Sequence, residues 1–198
     1  MKILVASTNR GKIREIADIL SSADVTIFTP DQIVITVDVQ EDGATFEENA
    51  LKKAAAYRDV AEMSALADDS GLCVDALDGA PGVMSARFAG PNASDADNIE
   101  RLLKAMHKMQ NRKARFVCVV ALALTSGELI TAQGDYPGLI TEAPMGSGGF
   151  GYDPVFYDPT TGKTFAELCQ EEKNRVSHRK RALIALREKL QNQGYIKP

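Results

Sequence analysis

At 198 residues, with 44% hydrophobic and 25% charged side chains, the chain has the makeup of an ordinary globular protein, which excludes a disordered one. Acidic side chains number 27 against 23 basic, a net charge of −4; no global basic field exists to hold a nucleic-acid duplex, and any anionic partner must meet a local cluster of cations. The longest apolar run, residues 116–124, is too short to cross a bilayer, Asn9, Arg10 and Lys12 interrupt any apolar leader, and Cys73, Cys118 and Cys169 lack metal-ligand spacing, so a cytoplasmic chain with reduced thiols, no membrane partner and no nucleic-acid partner is expected.

Residues 2–6 are a short β-rich run, and residues 13–20 repeat apolar side chains at helical spacing, with Ile13, Ile16, Ala17 and Leu20 on one face. Between them, Ser7-Thr8-Asn9-Arg10-Gly11-Lys12 carries a strand into a helix through small and polar residues. Such a junction offers backbone N–H groups and a positive dipole end to an anion. Lys12 falls in the first turn, where a cation is unfavourable unless an anion joins it, and this argues for a phosphate. A plain Ser/Thr/Asn helix cap is the simpler alternative, and the loop lacks the spaced glycines and Lys-Ser/Thr pair of a Walker A sequence. Residues 25–29 and 33–37 read as two further strands split by Pro30-Asp31. Gln40-Glu41-Asp42-Gly43 then turns the chain into a long helix from residue 45 to about 63, opened by a Thr45/Glu48 capping box and filled by Ala50, Ala54, Ala55 and Ala56. Glu41 and Glu47 are candidate metal- or water-binding carboxylates near its start. Lys52 and Lys53 lie on its middle turns, where a solvated face is the ordinary role of such charges.

Ala65-Leu66-Ala67 ends in Asp68-Asp69-Ser70-Gly71, which predicts a buried strand leaving its sheet. Neighbouring side chains on a strand point to opposite faces, so the two aspartates have different work. Their repulsion is relieved by protonation, a basic partner or a bound cation; a strand-ending Asx-turn is the bland alternative. Leu72-Cys73-Val74 and the turn-rich Gly79-Ala80-Pro81-Gly82 follow, then a helix over residues 95–109 capped by Ser94. Residues 116–124 predict a strand covered on both faces. Gly127 turns it into a strand at 129–136, and residues 138–141 continue the sheet region. In Gly146-Ser147-Gly148-Gly149-Phe150-Gly151-Tyr152-Asp153-Pro154 the glycines let backbone approach a ligand, Phe150 and Tyr152 can stack a planar base, and Asp153 can orient a polar group. A flexible linker is the alternative, although linkers rarely carry aromatics ahead of a strand-like Val155-Phe156-Tyr157. A short helix over 165–172 ends at Lys173. Ser177-His178-Arg179 opens a last helix ending near residue 191, with Ala182, Leu183, Leu186 and Leu190 on its core face. Lys12, Lys173 and Arg179 therefore all fall near loop-to-helix junctions, and Lys53 can join them. A phosphate-bearing ligand explains these cations, adjacent carboxylates explain a bridging divalent cation, and the Gly-rich aromatics explain a base: a nucleoside polyphosphate with Mg²⁺.

The stretches Ser7-Thr8-Asn9-Arg10-Gly11-Lys12, Thr45-Phe46-Glu47-Glu48-Asn49-Ala50, Ala67-Asp68-Asp69-Ser70-Gly71-Leu72, Pro81-Gly82-Val83-Met84-Ser85-Ala86-Arg87, Gly148-Gly149-Phe150-Gly151-Tyr152-Asp153-Pro154 and Ser177-His178-Arg179 resemble, in order, the successive motifs of the Ham1/inosine triphosphatase family. The resemblance spans residues 3–190, with Thr8 where bacterial relatives often have Gly. It implies an α/β fold with an elongated mixed β-sheet flanked by helices, a single domain over residues 1–198 in two lobes around one nucleotide cleft, and a homodimer. It implies hydrolysis of the deaminated purine nucleoside triphosphates dITP, ITP and XTP to monophosphate and pyrophosphate, which keeps deaminated purines out of DNA and RNA. By position, Asp69 would be the catalytic base and a ligand of Mg²⁺, or of Mn²⁺ in its place, with Glu41 and Asp68 helping to hold the metal. Residues Ser7, Thr8, Asn9, Arg10, Gly11 and Lys12 would hold phosphate with Lys53, and Ser70, Phe150, Gly151, Tyr152, Asp153, Lys173, His178 and Arg179 would hold the nucleotide. A keto group at purine C6 accepts hydrogen bonds where adenine's amino group donates them, so a pocket presenting donors discriminates between the two. Two other readings are a Maf-like pyrophosphatase acting on modified or pyrimidine triphosphates, and a nucleotide-sensing module whose aspartate pair only binds Mg²⁺.

Overall fold

The computed structural model describes residues 1–22, 24–169, 172–173 and 177–197. In chain order these form β1 (Lys2–Val5), α1 (Arg10–Leu20), β2 (Thr26–Phe28), α2 (Pro30–Ile33), α3 (Phe46–Ala61), β3 (Ala65–Val74), α4 (Asp95–Ala105), β4 (Lys113–Ala123), β5 (Leu129–Ile140), β6 (Phe156–Asp158), β7 (Lys163–Thr164) and α5 (His178–Asn192), with short 3-10 turns between some of them. Among the described residues the strands make one seven-stranded sheet in the order β2-β1-β3-β4-β5-β6-β7. Strand β1 is parallel to both β2 and β3, while β6 is antiparallel to both β5 and β7, so the sheet is mixed and the fold is α/β, as expected. The chain divides into two compact units, the first made of Met1–Asp69, Cys118–Gly134 and the segment from Arg179 onward, the second of Ser70–Val117 and Asp135–His178.

In the first unit the period-two alternation of strand side chains builds two cores. Ile3, Val5, Leu66, Cys118, Val120 and Leu122 pack with Ile16 and Leu20 of α1 and with Ala182, Leu183, Leu186 and Leu190 of α5, the four positions expected on the core face of the last helix. Leu4, Ala6, Ala65, Ala67, Val119, Ala121 and Ala123 pack with Ala50, Ala54 and Tyr57 of α3. The second unit is built on aromatics. The Phe116 and Phe156 rings lie 4.5 Å apart and tilted, and Phe156 meets Phe165 edge-on at 4.8 Å, geometries that suit ring quadrupoles. A Cβ at Gly138 would come within 2.7 Å of both the Phe156 ring and the Tyr157 carbonyl oxygen, so the β5–β6 pairing requires a glycine there.

Several expectations need correction. Strand β3 does not end at the aspartates but runs unbroken through Asp68, Asp69, Ser70 and Gly71 for 10 residues. Residues 33–37 are not a strand. Thr29 caps α2, Pro30 takes its first turn, where a missing N–H does no harm, and Gln32 completes the capping box. The alternation read there is real, since Ile33, Ile35, Val37 and Val39 are the partly buried positions, packed against the α3-side core, yet the segment makes no ladder. At α3, Thr45 accepts from the Glu48 N–H (3.1 Å), but the Glu48 carboxylate reaches the N–H of Ala44 (2.7 Å), so the capping box is half formed. Helix α4 stops at Ala105, short of residue 109, with a full capping box between Ser94 and Asp97. Where a helix over 165–172 was expected, Phe165–Glu167 form a 3-10 turn; residues 170 and 171 lie outside the described residues.

Candidate active site

The alternation that sorts the first core also sorts the two aspartates. Asp68 follows Leu66 on the α1 and α5 face, whereas Asp69 follows Ala65 and Ala67 on the α3 face. Asp68 is 3% exposed, and its Oδ2 accepts from Lys12 Nζ at 2.9 Å and from Arg179 Nε at 3.2 Å. Lys12 comes from the first turn of α1 and Arg179 from the first turn of α5. The Arg179 guanidinium also donates to Glu15 Oε2 at 3.2 Å. Burial pushes the Asp68 carboxyl up, but Lys12 and Arg179 outweigh it and hold the group well below the usual carboxylate range. Burial likewise opposes the Arg179 charge, and Asp68 and Glu15 restore it. The same cluster borders the buried Cys118, whose thiol is pushed far up, first by burial and then by the Asp68 charge.

The anion required by cations at α1 and α5 is thus present in the chain itself. The backbone of the first motif is likewise engaged. Asn9 Oδ1 accepts from the N–H groups of Gly11 (2.9 Å) and Lys12 (3.1 Å), and Ser7 Oγ accepts from the Asn9 N–H (3.2 Å). That is the plain Asn cap of the simpler alternative. Thr8, Asn9, Arg10 and Gly11 are exposed around it.

On the other face, Asp69 is half-buried, and its Oδ2 accepts from Asn49 Nδ2 at 2.9 Å. Asn49 sits one turn into α3, 1% exposed, and its Oδ1 accepts from the Gly43 N–H at 2.8 Å. Lys53, one turn further along α3, donates to Glu41 Oε1 at 2.7 Å. Burial alone would lower the Lys53 pKa; the bond to Glu41 and the charges of Glu41, Asp68 and Asp69 raise it above the usual lysine value. The three carboxylates proposed for metal are therefore brought into one electrostatic neighbourhood around Lys53. Among the described residues no group of three or more His, Cys, Asp or Glu side chains is arranged to hold a metal ion by itself. Asp68 is paired with Lys12 and Arg179, Glu41 with Lys53, and Asp69 accepts from the neutral Asn49 amide.

The second unit holds the glycine-rich stretch. Asp153 is 3% exposed and its Oδ2 accepts from the Phe150 N–H (2.8 Å) and from Lys173 Nζ. Burial raises the Asp153 carboxyl above its usual value in spite of Lys173. Lys173 Nζ also lies 4.5 Å from the centre of the Phe150 ring, a cation–π contact. The two aromatics part company here. Phe150 is 68% exposed, but Tyr152 is buried in the aromatic core with its hydroxyl donating to the Ser85 carbonyl at 2.9 Å, so only Phe150 presents a ring for stacking. Asp95, at the start of α4, accepts from the Gly151 N–H at 2.6 Å. The His178 ring stacks on Phe116 at 5.1 Å, and Ser70 is half-buried on β3.

Asn49, Glu15 and Asp95 escaped the reading of individual residues. Asn49 did leave a signal, a poor helix former set among the alanines of α3 where Ala or Leu would be ordinary. Glu15 and Asp95 look like any solvated helix charge.

Residues 3–189 match the Ham1 family. The chain is 48% identical to a dITP/XTP pyrophosphatase of Geobacter sulfurreducens over 98% of both chains, and 45% identical to one of Clostridium perfringens over 96% of this chain and 97% of the other. Among solved structures it resembles the Ham1 protein of Staphylococcus aureus, with TM-score 0.89, 40% identity, and 98% of this chain and 100% of that one covered. It also resembles a nucleoside-triphosphatase, or dITP/XTP pyrophosphatase, of Mycobacterium abscessus, with TM-score 0.79, 44% identity, and 94% and 98% covered. Matched by the family over residues 3–189 and by relatives of 45–48% identity over nearly its whole length, the chain belongs to the Ham1 family.

Proposed function

We propose that the protein is a nucleoside triphosphate pyrophosphatase that hydrolyses dITP, XTP and ITP to the monophosphate and pyrophosphate, with Asp69 as general base. The substrate class is supported by the relatives of 45–50% identity that bear the name dITP/XTP pyrophosphatase. The observation that carries the chemistry is the division of labour at the aspartate pair. Asp68 neutralises Lys12 and Arg179 on one face, which leaves Asp69, held by an amide on the other face beside Lys53 and Glu41, as the carboxylate suited to take a proton.

Cleavage between the α and β phosphates needs an aligned water and compensation of phosphate charge rather than covalent help from the protein. Asp69, oriented through Oδ2 by Asn49, accepts the proton of the attacking water. Lys53 keeps its charge and offsets that of the triphosphate, and Lys12 contributes by exchanging part of its contact with Asp68 for a phosphate oxygen. Asp69 and Glu41 are the hard oxygen donors that would hold Mg²⁺ or Mn²⁺, which when bound supplies further charge compensation and a more acidic water. In the second unit, the exposed Phe150 ring with Lys173 and Asp153 beside it supplies a stacking face and polar groups suited to a purine. The same reading makes the protein a cytoplasmic homodimer.

The test is a panel of nucleoside triphosphates with Mg²⁺, scored for monophosphate and pyrophosphate together. dITP, XTP and ITP should exceed ATP and GTP, with pyrophosphate as first product and activity abolished by excess EDTA. Orthophosphate as first product, or a preference for dTTP or UTP, would overturn the assignment.

A further inference from the structure

Asn49 makes two hydrogen bonds through the two ends of one amide, and its orientation is not arbitrary. The Gly43 backbone N–H can only donate, so it must face Oδ1, and the Nδ2 group is thereby turned toward the Asp69 carboxylate. The amide is 1% exposed and lies in the first turns of α3, where its rotamer is set by packing. Its neighbour in the turn is equally constrained, since a Cβ on Gly43 would approach Asn49 Oδ1 to 2.7 Å and Glu48 Cβ to 2.9 Å. Two residues before Gly43 stands Glu41, whose carboxylate is bound to Lys53 on the same helix. One buried side chain thus connects the Glu41–Gly43 turn to the aspartate on β3.

We propose that Asn49 is the positioning residue for Asp69, its NH₂ fixing one carboxylate oxygen while its carbonyl holds in place the turn that carries Glu41. This rests on the reading of Asp69 as the base. Asn49 touches neither water nor substrate in this scheme, and it acts by holding the carboxylate where a proton can be taken. A displacement of about 1 Å in such a group can cost about a hundredfold in rate. Removing the amide should therefore lower kcat while leaving KM close to its original value, because the lost interaction serves the transition state.

The experiment is a double-mutant cycle in kcat with dITP and Mg²⁺, using Asn49→Ala, Asp69→Asn and the pair, with hydrogen exchange at the Gly43 amide as a second readout. Asn49→Ala should lower kcat by about tenfold or more, with KM within about threefold of the wild type. In the Asp69→Asn background the same change should have almost no further effect, since both changes remove one unit. The Gly43 amide should exchange faster in Asn49→Ala. A purely structural asparagine would instead lower Tm alone; an intact kcat in the folded fraction, or a kcat loss that adds in full to that of Asp69→Asn, overturns the proposal. Should Asn49→Ala fail to fold, Asn49→Asp decides. It keeps the volume and the acceptor for Gly43 but replaces the donor with a carboxylate, so kcat must fall while Gly43 stays protected; an unchanged kcat refutes the role. Failure of the functional reading is separately visible, because the wild type would then release no pyrophosphate or Asp69→Asn would keep full activity.

Discussion

Asp68 and Asp69 are adjacent in sequence and lie on opposite faces of β3. The charge on Asp68 is stabilised by two cations inside the first unit, while Asp69 is held by a neutral amide. Asp69→Asn should keep the fold, since an amide preserves the shape, and lower kcat for ITP at least about a hundredfold with Tm nearly unchanged. A well-folded variant keeping a tenth of the wild-type kcat removes Asp69 from the role of essential base. Two buried carboxylates, Asp68 in the first unit and Asp153 in the second, are expected to respond to acid in opposite senses. Asp68 has a depressed folded pKa, so its contribution to stability is present above its unfolded value, about 3.9, and is lost as pH falls below that toward the folded value. Asp153 has a raised folded pKa, burial being the larger cause, so it binds its proton more readily folded than unfolded and favours folding as pH falls through that raised value. Urea unfolding of the metal-free protein between about pH 7 and pH 3 should show the acid-side loss flattened by Asp68→Asn and steepened by Asp153→Asn.

At the scale of elements, the decisive feature is that β3 continues through a sequence that reads as its end. Two carboxylates, a serine and a glycine are poor strand formers, yet the strand persists, with each carboxylate meeting a partner on its own face. The reverse occurs at residues 33–37, where alternation suggests a strand but Pro30 and Thr29 start a helix and the remainder packs without pairing. Pairing itself depends on close fit in the second unit. Gly138→Ala would push a methyl group into the Phe156 ring and the Tyr157 carbonyl, and neither can move without disturbing the β5–β6 ladder. Overpacking of this kind costs about 1–3 kcal/mol. Denaturant unfolding should show that loss for Gly138→Ala, and Gly138→Val should be worse; a wild-type midpoint for Gly138→Ala would contradict the register.

For the whole molecule, the expected assembly is a homodimer, a proposal resting on the family resemblance. Light scattering at micromolar protein should give close to twice the chain mass of 21.4 kDa, and a value equal to the chain mass would refute it. No helix among the described residues is long and apolar enough to cross a membrane.

Local and periodic information was legible from the residues alone. The apolar repeat of α5, the capping of α4 by Ser94, the near-continuous apolar strand β4 and the opposite facing of Asp68 and Asp69 all follow from geometry that repeats every two or 3.6 residues, and the ordered motifs identify the family without any coordinates. What the tertiary structure decided is who meets whom. Cations at the starts of α1 and α5 demand an anion, but sequence cannot say whether a ligand or residue 68 provides it, because the partners lie 56 and 111 positions away along the chain. Tyr152 and Phe150 are equivalent aromatics in a glycine-rich loop until packing buries one and exposes the other. Asn49 is an unremarked polar residue in an alanine helix until folding places it between Gly43 and Asp69. Secondary structure is set by neighbours in sequence; charge compensation, burial and hydrogen-bond partnership are set by neighbours in space, and the chemistry of this site is made of the latter.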